Sequence, residues 1–475
     1  MKHPAPLFAF AAATLAGAFW LSYDAAPTPT PKPQPKPAPV QNQPVGKLTF
    51  ADTTMQVTAQ LDRLHLLKES GQVAPESVFM NVELKGADMS ARADLAAVLV
   101  IDRSGSMAGD KIDNARRAAR RMLTQLRDGD QLAIVSYGSD VSVDLPMTTL
   151  NAQSRARAKR VIAMLEEGGG THIDGGLHAA RRLLKNGNAG VGRVILISDG
   201  RPTEGERRSD LLVNHAEQLR HMGVTLSTLG VGLDYNEDLM QSLAVGGGGR
   251  YHYLRRSHQL PAIVDAELKH ASRIVARSVQ LRIPSQLQGF DVVAVNGHAA
   301  DANGTLEVLV GDIAAGEVRN VLLRLDVKPV QAAAKSALQF AAPEVLYTKA
   351  ADGRPALLAQ RADPFRMAFT DDAHVVDQHR MSMVRAQILK VSTAQQLTSS
   401  MRAYAKGDVT KATEALATRV KALNAVADET GDLGLKREAE NVDRVLRRLK
   451  KAKPQSESGQ DLVKEQKARA FGLMY

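Results

Sequence analysis

The sequence predicts an α/β fold, a doubly wound and mostly parallel sheet, flanked by or inserted in a β-sandwich and followed by helices. Three observations carry this. The run Ala96–Ile101 is apolar without alternation and ends in Asp102, the pattern of a strand buried on both faces of a parallel sheet. From Ala93 to Ala271 strand-like and helix-like segments alternate regularly, as a sheet covered by helices on both sides requires. From Arg277 to Leu346 the pattern changes to alternating strands separated by Gly, Pro and Asn turn signals, which suits two packed sheets.

Taken in order, residues 1–26 have a short basic start (Lys2, His3), an apolar run from about Leu7 to Leu21, and small residues at Ala25 and Ala26. This is the layout of a secretory signal, or of an uncleaved single-pass anchor. Residues 27–46 are Pro-rich and should form a stiff polyproline II spacer. Together they lead us to expect an exported protein: periplasmic, at the cell surface, or membrane-anchored through its N-terminus. Residues 47–92 read as β-rich, with Met55–Leu61 and Val78–Leu84 as strands.

The α/β unit is expected over residues 93–272. Its strands are Ala96–Ile101, Leu132–Ser136, Val141–Leu145, Val194–Ser198, Thr225–Val231 and Tyr251–Leu254. Its helices are about Lys111–Leu126, Ala152–Glu166, Asp174–Lys185, Ser209–His221, Glu237–Leu243 and Gln259–Ala271. A β-sandwich follows over 273–350; if the strands before Ala93 complete it, the α/β unit is an insertion. Residues 364–452 read as helical, in segments Val375–Lys406, Val409–Glu429 and Leu435–Leu449 joined by short breaks, so as antiparallel neighbours. The remaining polar tail, 453–475, is expected to be loosely ordered.

The totals bound the chemistry. The 475 residues include no cysteine, which excludes disulfides, thiolate metal sites, iron–sulfur clusters and cysteine nucleophiles. The net charge of +10 permits contact with anionic surfaces without requiring it. Arg116, Arg117, Arg120 and Arg121 read as a solvated helix face. The basic cluster Arg444–Lys453 has no interleaved aromatics, so nucleic acid is not an expected partner.

Chemistry concentrates at the carboxyl end of the first buried strand, in AAVLVIDRSGSM, where an open α/β sheet presents its loops. Asp102, Ser104 and Ser106 place one carboxylate and two hydroxyls on one turn. By itself this triplet is also compatible with a capped turn. Two further stretches reach the same edge: Gly168-Gly169-Gly170-Thr171 before a helix, and a second buried strand running into Ser198-Asp199-Gly200. The pooled set is two carboxylates and three hydroxyls, hard oxygen donors that suit Mg²⁺, with Mn²⁺ or Ca²⁺ possible, and not Zn²⁺ or Cu²⁺. A phosphatase-type nucleophilic Asp needs an acidic partner two residues later, where Ser104 stands. A hydrolase elbow needs Gly-x-Ser-x-Gly, and neither Ser104 nor Ser106 lies in that frame. No enzyme activity is therefore expected. His172 and His178 flank Asp174 but read as polar surface residues, and Gly246–Gly249 as a flexible loop.

The strand–DRSGSM, the GGGTHIDGGL loop and ILISDGRPTEG together resemble a von Willebrand factor type A domain. Asp102, Ser104, Ser106, Thr171 and Asp199 match all five positions of its metal-ion-dependent adhesion site. The wider layout is similar to bacterial secreted proteins of this kind, related to inter-alpha-trypsin inhibitor heavy chains and calcium-activated chloride channel regulators. The resemblance implies that the Ser104 and Ser106 hydroxyls bind the metal directly. It implies that Thr171, Asp102 and Asp199 do so directly or through water. It also implies that a partner protein completes the coordination with an Asp or Glu. The expected function is metal-dependent protein binding in adhesion or scaffolding, with a regulatory subunit of a membrane complex as the alternative and a metal-dependent hydrolase as the less favoured third reading.

Overall fold

The computed structural model describes residues 43–474, apart from 70–71, 74–75, 89–91, 186–189, 285, 288, 297, 300–303, 329–336 and 360–363. The expected signal or anchor (1–26) and the linker up to residue 42 lie outside the described residues. Among the described residues no helix is long and apolar enough to cross a membrane.

Five strands come first: β1 (Lys47–Ala51), β2 (Met55–Leu61), β3 (His65–Glu69), β4 (Gln72–Val73) and β5 (Ser77–Gly86). The α/β unit then contributes β6 (Leu95–Asp102), β7 (Gln131–Tyr137), β8 (Val141–Thr149), β9 (Val191–Ser198), β10 (Val224–Val231) and β11 (Gly248–Leu254). Its helices are α1 (Asp110–Gln125), α2 (Ala152–Ala163), α3 (Ile173–Lys185), α4 (Ser209–His221), α5 (Glu237–Gly246) and α6 (Leu260–Ala271). The strand order is β11-β10-β9-β6-β7-β8, all parallel except the antiparallel edge strand β8.

The missing alternation in β6 now has its cause. Leu95, Ala97, Leu99 and Ile101 point into one apolar layer with Met122 of α1 and Leu268 of α6. Ala96, Val98 and Val100 point into the other, with Leu177 of α3, Leu219 of α4 and Leu243 of α5. Each Val, Leu or Ile so buried contributes roughly 1.5–3 kcal/mol, so the strand is anchored from both faces. Helix entry is set locally: Asn151 and Ser154 form a reciprocal capping box on α2, and Asn236 caps α5 by accepting from Leu239 N–H. Gly246–Gly249 is not a loop. Gly246 ends α5 and Gly248 opens β11, where a Cβ on Gly249 would stand 2.2 Å from the Leu226 carbonyl. The glycines serve close strand approach rather than flexibility.

After α6 come β12 (Ile274–Pro284), β13 (Gln286–Leu287), β14 (Phe290–Val295), β15 (His298–Ala299), β16 (Thr305–Ala314), β17 (Val318–Val327), β18 (Ala337–Phe340), β19 (Glu344–Lys349), β20 (Pro355–Leu358) and β21 (Phe365–Thr370). β5 pairs antiparallel with β17, with Val82 opposite Val321. Segments on either side of the α/β unit thus form one sheet, β1-β2-β5-β17-β14-β13, and the unit is an insertion. A second sheet, β16-β12-β19-β20, faces it across a shared core that includes Val57, Met80, Leu84, Leu281, Ile283, Phe290 and Leu323.

The strands run past the expected sandwich limit of 350. Phe365–Thr370 is a strand where helix was expected; it pairs parallel with β3 and antiparallel with β18, burying Phe365 and Met367. The helices are α7 (Ala373–Gln378), α8 (Ser382–Ala405), α9 (Val409–Thr430), α10 (Leu433–Lys451) and α11 (Glu457–Met474). The expected long helix from Val375 is broken before α8, where the Met381 N–H donates to the Asp62 carbonyl at 2.8 Å.

The polar tail is helical. α11 buries Leu462, Ala470 and Phe471, and its charges are spent on ion pairs such as Arg469–Glu438 at 2.6 Å. Its polarity hid a helix whose few apolar residues all face inward. Phe471 meets Tyr251 edge-on at 5.9 Å, and the Tyr253 hydroxyl donates to Asp461 at 2.7 Å, so α11 seals β11, the edge of the central sheet.

Candidate metal centre

The parallel strands end together, and the loops after β6 and β9 and before α3 meet above them. Asp102 is the last residue of β6 and fully buried. Its Oδ1 accepts from the Ser104 N–H at 2.9 Å and its Oδ2 from the Ser198 hydroxyl at 2.6 Å. Ser104 is buried, and its Oγ lies 3.1 Å from that of Ser106. The exposed Ser106 donates to Asp199 Oδ1 at 2.7 Å. Thr171 comes to the same place beside Gly200, where a Cβ would stand 3.2 Å from Thr171 Oγ1 and 3.8 Å from Ser106 Oγ. All five sequence-predicted residues converge.

The loops hold one another in place. The Gly105 N–H donates to the Gly169 carbonyl at 3.1 Å, and the Gly168 N–H to the Arg103 carbonyl at 2.6 Å. Gly169 has φ +83°, and a Cβ there would sit 2.7 Å from the Ser139 nitrogen, so this turn needs glycine. Thr171 is fixed through its backbone: its N–H donates to Thr203 Oγ1 at 2.8 Å, and its carbonyl accepts from Thr203 N–H at 3.0 Å. This leaves the Thr171 hydroxyl for the site.

Electrostatically the site is a pair of carboxylates with no solvent of their own, since Asp102 and Asp199 are both 0% exposed. Burial raises the Asp102 carboxyl above its ordinary range; hydrogen bonds from Ser104 and Ser198 pull it down, and the neighbouring Asp199 charge pushes it up. Burial, with the Asp102 charge, likewise pushes the Tyr137 hydroxyl well up beneath the site. A buried carboxylate pair is costly without a cation. The donor set fits a hard divalent ion: carboxylate and hydroxyl oxygens, with neither imidazole nor thiolate. Asp199 Oδ2 already attracts a cation, the Lys111 ammonium, which also donates to the Ser106 carbonyl at 3.1 Å.

Sequence reasoning missed two of these participants. Ser198 stands directly before Asp199 in the second buried strand, and an inward hydroxyl there was legible in principle. Lys111 was read only as the start of a helix. His172 and Asp174 lie beside the site, with His172 Nε2 3.9 Å and His215 Nε2 2.8 Å from the Asp174 carboxylate. Arg116 is not simply solvated, because its Nε donates to the Leu165 carbonyl at 2.8 Å; Arg117, Arg120 and Arg121 are exposed.

Comparisons with known proteins match the α/β unit to a family. The family model for the von Willebrand factor type A domain matches residues 97–266. An uncharacterized Escherichia coli protein, YfbK, is 30% identical over 190 residues, covering 39% of this chain and 33% of its own length. Human inter-alpha-trypsin inhibitor heavy chain H4 is 30% identical over 170 residues, covering 34% of this chain and 18% of its own. The chain thus spans a third or less of the length of these two curated relatives. A solved von Willebrand factor type A protein from Catenulispora acidiphila superposes with a TM-score of 0.64 at 20% identity, covering 84% of this chain and 92% of that one. That likeness extends beyond the α/β unit and speaks for the fold alone. Residues 97–266 of this chain are a von Willebrand factor type A domain, set between the strands of a β-sandwich.

Proposed function

We propose that Asp102, Ser104, Ser106, Thr171 and Asp199 hold one divalent cation, Mg²⁺ with Mn²⁺ or Ca²⁺ as substitutes, and that the chain binds a partner protein through it. The observation that carries this is the convergence of five oxygen-bearing side chains, two of them fully buried carboxylates, beside a Ser106 open to solvent. The bound cation would supply a coordination position for an Asp or Glu of the partner. Ser104 and Ser106 would be held for it by their mutual contact, and Asp102 by the Ser104 amide and the Ser198 hydroxyl. Domains of this type typically mediate protein–protein interaction and adhesion, which supports a binding role.

Catalysis is outside the proposal. Position 104 carries a hydroxyl where a phosphatase-type nucleophile at Asp102 would need an acid two residues on. The signal-like start and Pro-rich spacer support work outside the cytoplasm, in adhesion or scaffolding.

Titration calorimetry with MgCl₂ on the wild type and on Asp102→Ala tests the reading, with circular dichroism as the control for folding. Capture of proteins from the native cell, in Mg²⁺ and in EDTA, extends it. We expect Asp102→Ala to keep its fold and lose both metal binding and metal-dependent capture. Mg²⁺-dependent capture that survives in Asp102→Ala would sink the idea.

A further inference from the structure

The Lys111 ammonium lies on Asp199 Oδ2 and donates to the Ser106 carbonyl, so its charge sits among the oxygens assigned to the metal. Its position on α1 has no helical explanation. It stands in the first turn, where the helix dipole favours anions, and its neighbours Asp110 and Asp113 are acidic as that field prefers. What holds it there is Asp199, a carboxylate with no exposed surface, while the Lys111 side chain keeps 30% of its own. Asp102 is held by neutral donors, the Ser104 amide and the Ser198 hydroxyl, so Lys111 brings the positive charge to the pair.

We infer that Lys111 is a built-in counter-ion that occupies the metal centre in the absence of metal and that a divalent cation must displace. This rests on the metal reading proposed above and adds to it how tightly the site can hold its ion. Two carboxylates and one ammonium leave a net charge of −1. A divalent ion binding at Asp199 gains the carboxylate but loses the ammonium that was already there, so its net gain is reduced. Lysine suits the task, being a compact charge on a flexible stem that can swing to solvent when displaced. The side chain lies beside the turn at Gly232, where a Cβ would be in ordinary contact at 3.9 Å from Lys111 Cε and Nζ, and its 30% exposure gives it a route to solvent.

The test uses the whole chain, with Lys111→Met and Lys111→Gln as neutral variants and Lys111→Arg as the variant that keeps a charge. MgCl₂ is the probe, read by titration calorimetry and by thermal unfolding with and without the ion. The neutral variants should bind Mg²⁺ about ten-fold more tightly than the wild type, the change expected when roughly 1.4 kcal/mol of competing interaction is removed. Without metal they should melt at lower temperature, because Asp199 is left buried without its counter-charge, and Mg²⁺ should raise their Tm by more than it raises that of the wild type. Lys111→Arg should stay near wild type. A lysine that merely packs would lower Tm equally in both conditions. Wild type that binds Mg²⁺ together with neutral variants that bind it no more tightly would overturn the counter-ion and leave the metal centre standing. Failure of every form to bind Mg²⁺, and with it Mn²⁺ and Ca²⁺, would overturn the metal reading itself.

Discussion

At the scale of single residues, the centre depends on side chains that touch the carboxylates without being obvious ligands. Ser198 is fully buried and donates to Asp102 at 2.6 Å. Ser198→Ala leaves a buried carboxylate oxygen without its donor, and should cost about 1–3 kcal/mol in urea unfolding of the metal-free protein. An unchanged unfolding midpoint would show that Ser198 does not support Asp102. Gly169→Ala forces a Cβ into the Ser139 backbone at positive φ, so the loop must shift. We expect that variant to bind Mg²⁺ more weakly while its far-ultraviolet circular dichroism stays unchanged. The five positions proposed to hold the metal were readable because they lie at the end of β6 and in the loops that follow β6 and β9 and precede α3, where an open α/β sheet presents its site. Lys111 was not, since a lysine at a helix start has many ordinary explanations and only the fold brings it to Asp199.

At the scale of elements, α6 and β11 carry a charged junction to the sandwich. Glu267 of α6 is fully buried and meets His252 at 2.9 Å, while Glu317 meets His270 at 2.7 Å and Arg319 at 2.9 Å. Burial alone would raise both carboxyls. It is outweighed at Glu267 by the His252 hydrogen bond and charge with those of Arg193 and Arg250, and at Glu317 by His270, Arg319 and the Ala314 N–H. Both carboxyls therefore lie below the usual range. A depressed carboxyl contributes stability above the unfolded value of about 4.3 and loses it as pH falls through its folded value. The protein should lose stability on acidification below about pH 4.3, and Glu317→Gln should flatten that loss. Unfolding curves collected between neutral and strongly acidic pH will show whether the slope changes. α11 belongs to the same scale. Phe471→Ala should cost about 3 kcal/mol in thermal unfolding, because a buried ring against Tyr251 leaves a cavity. A tail without packing would show no cost. The sequence concealed α11 because hydropathy counts charges as exposed, whereas here Arg469, Lys464 and Asp461 are paired.

At the scale of the whole molecule, the α/β unit and the sandwich share buried charges as well as chain. Arg193 of β9 is 2% exposed and lies 3.5 Å from Asp312 of β16, which also accepts from the Thr225 hydroxyl at 2.6 Å. Asp312→Ala lies outside the matched segment, yet it should destabilise the domain by about 3 kcal/mol, since it removes the carboxylate hydrogen-bonded to a buried guanidinium. Calorimetric unfolding would test this, and a loss confined to the sandwich would contradict it. The insertion was legible as a possibility from strands on both sides of the α/β pattern. Its proof is the pairing of β5 with β17, a contact between residues more than two hundred positions apart that no local pattern encodes.

That insertion has a mechanical side. Asp102 closes β6 at one end of the central sheet, while the chain enters at Leu95 and leaves after α6 at the opposite end. The entering segment comes from β5 in one sheet, and the leaving segment passes into β12 in the other. Tension pulling on the face that carries Asp102 is therefore split between two tethers, each rooted in a different wall of the sandwich. A load applied there draws on both sheets in parallel rather than peeling one strand from an edge.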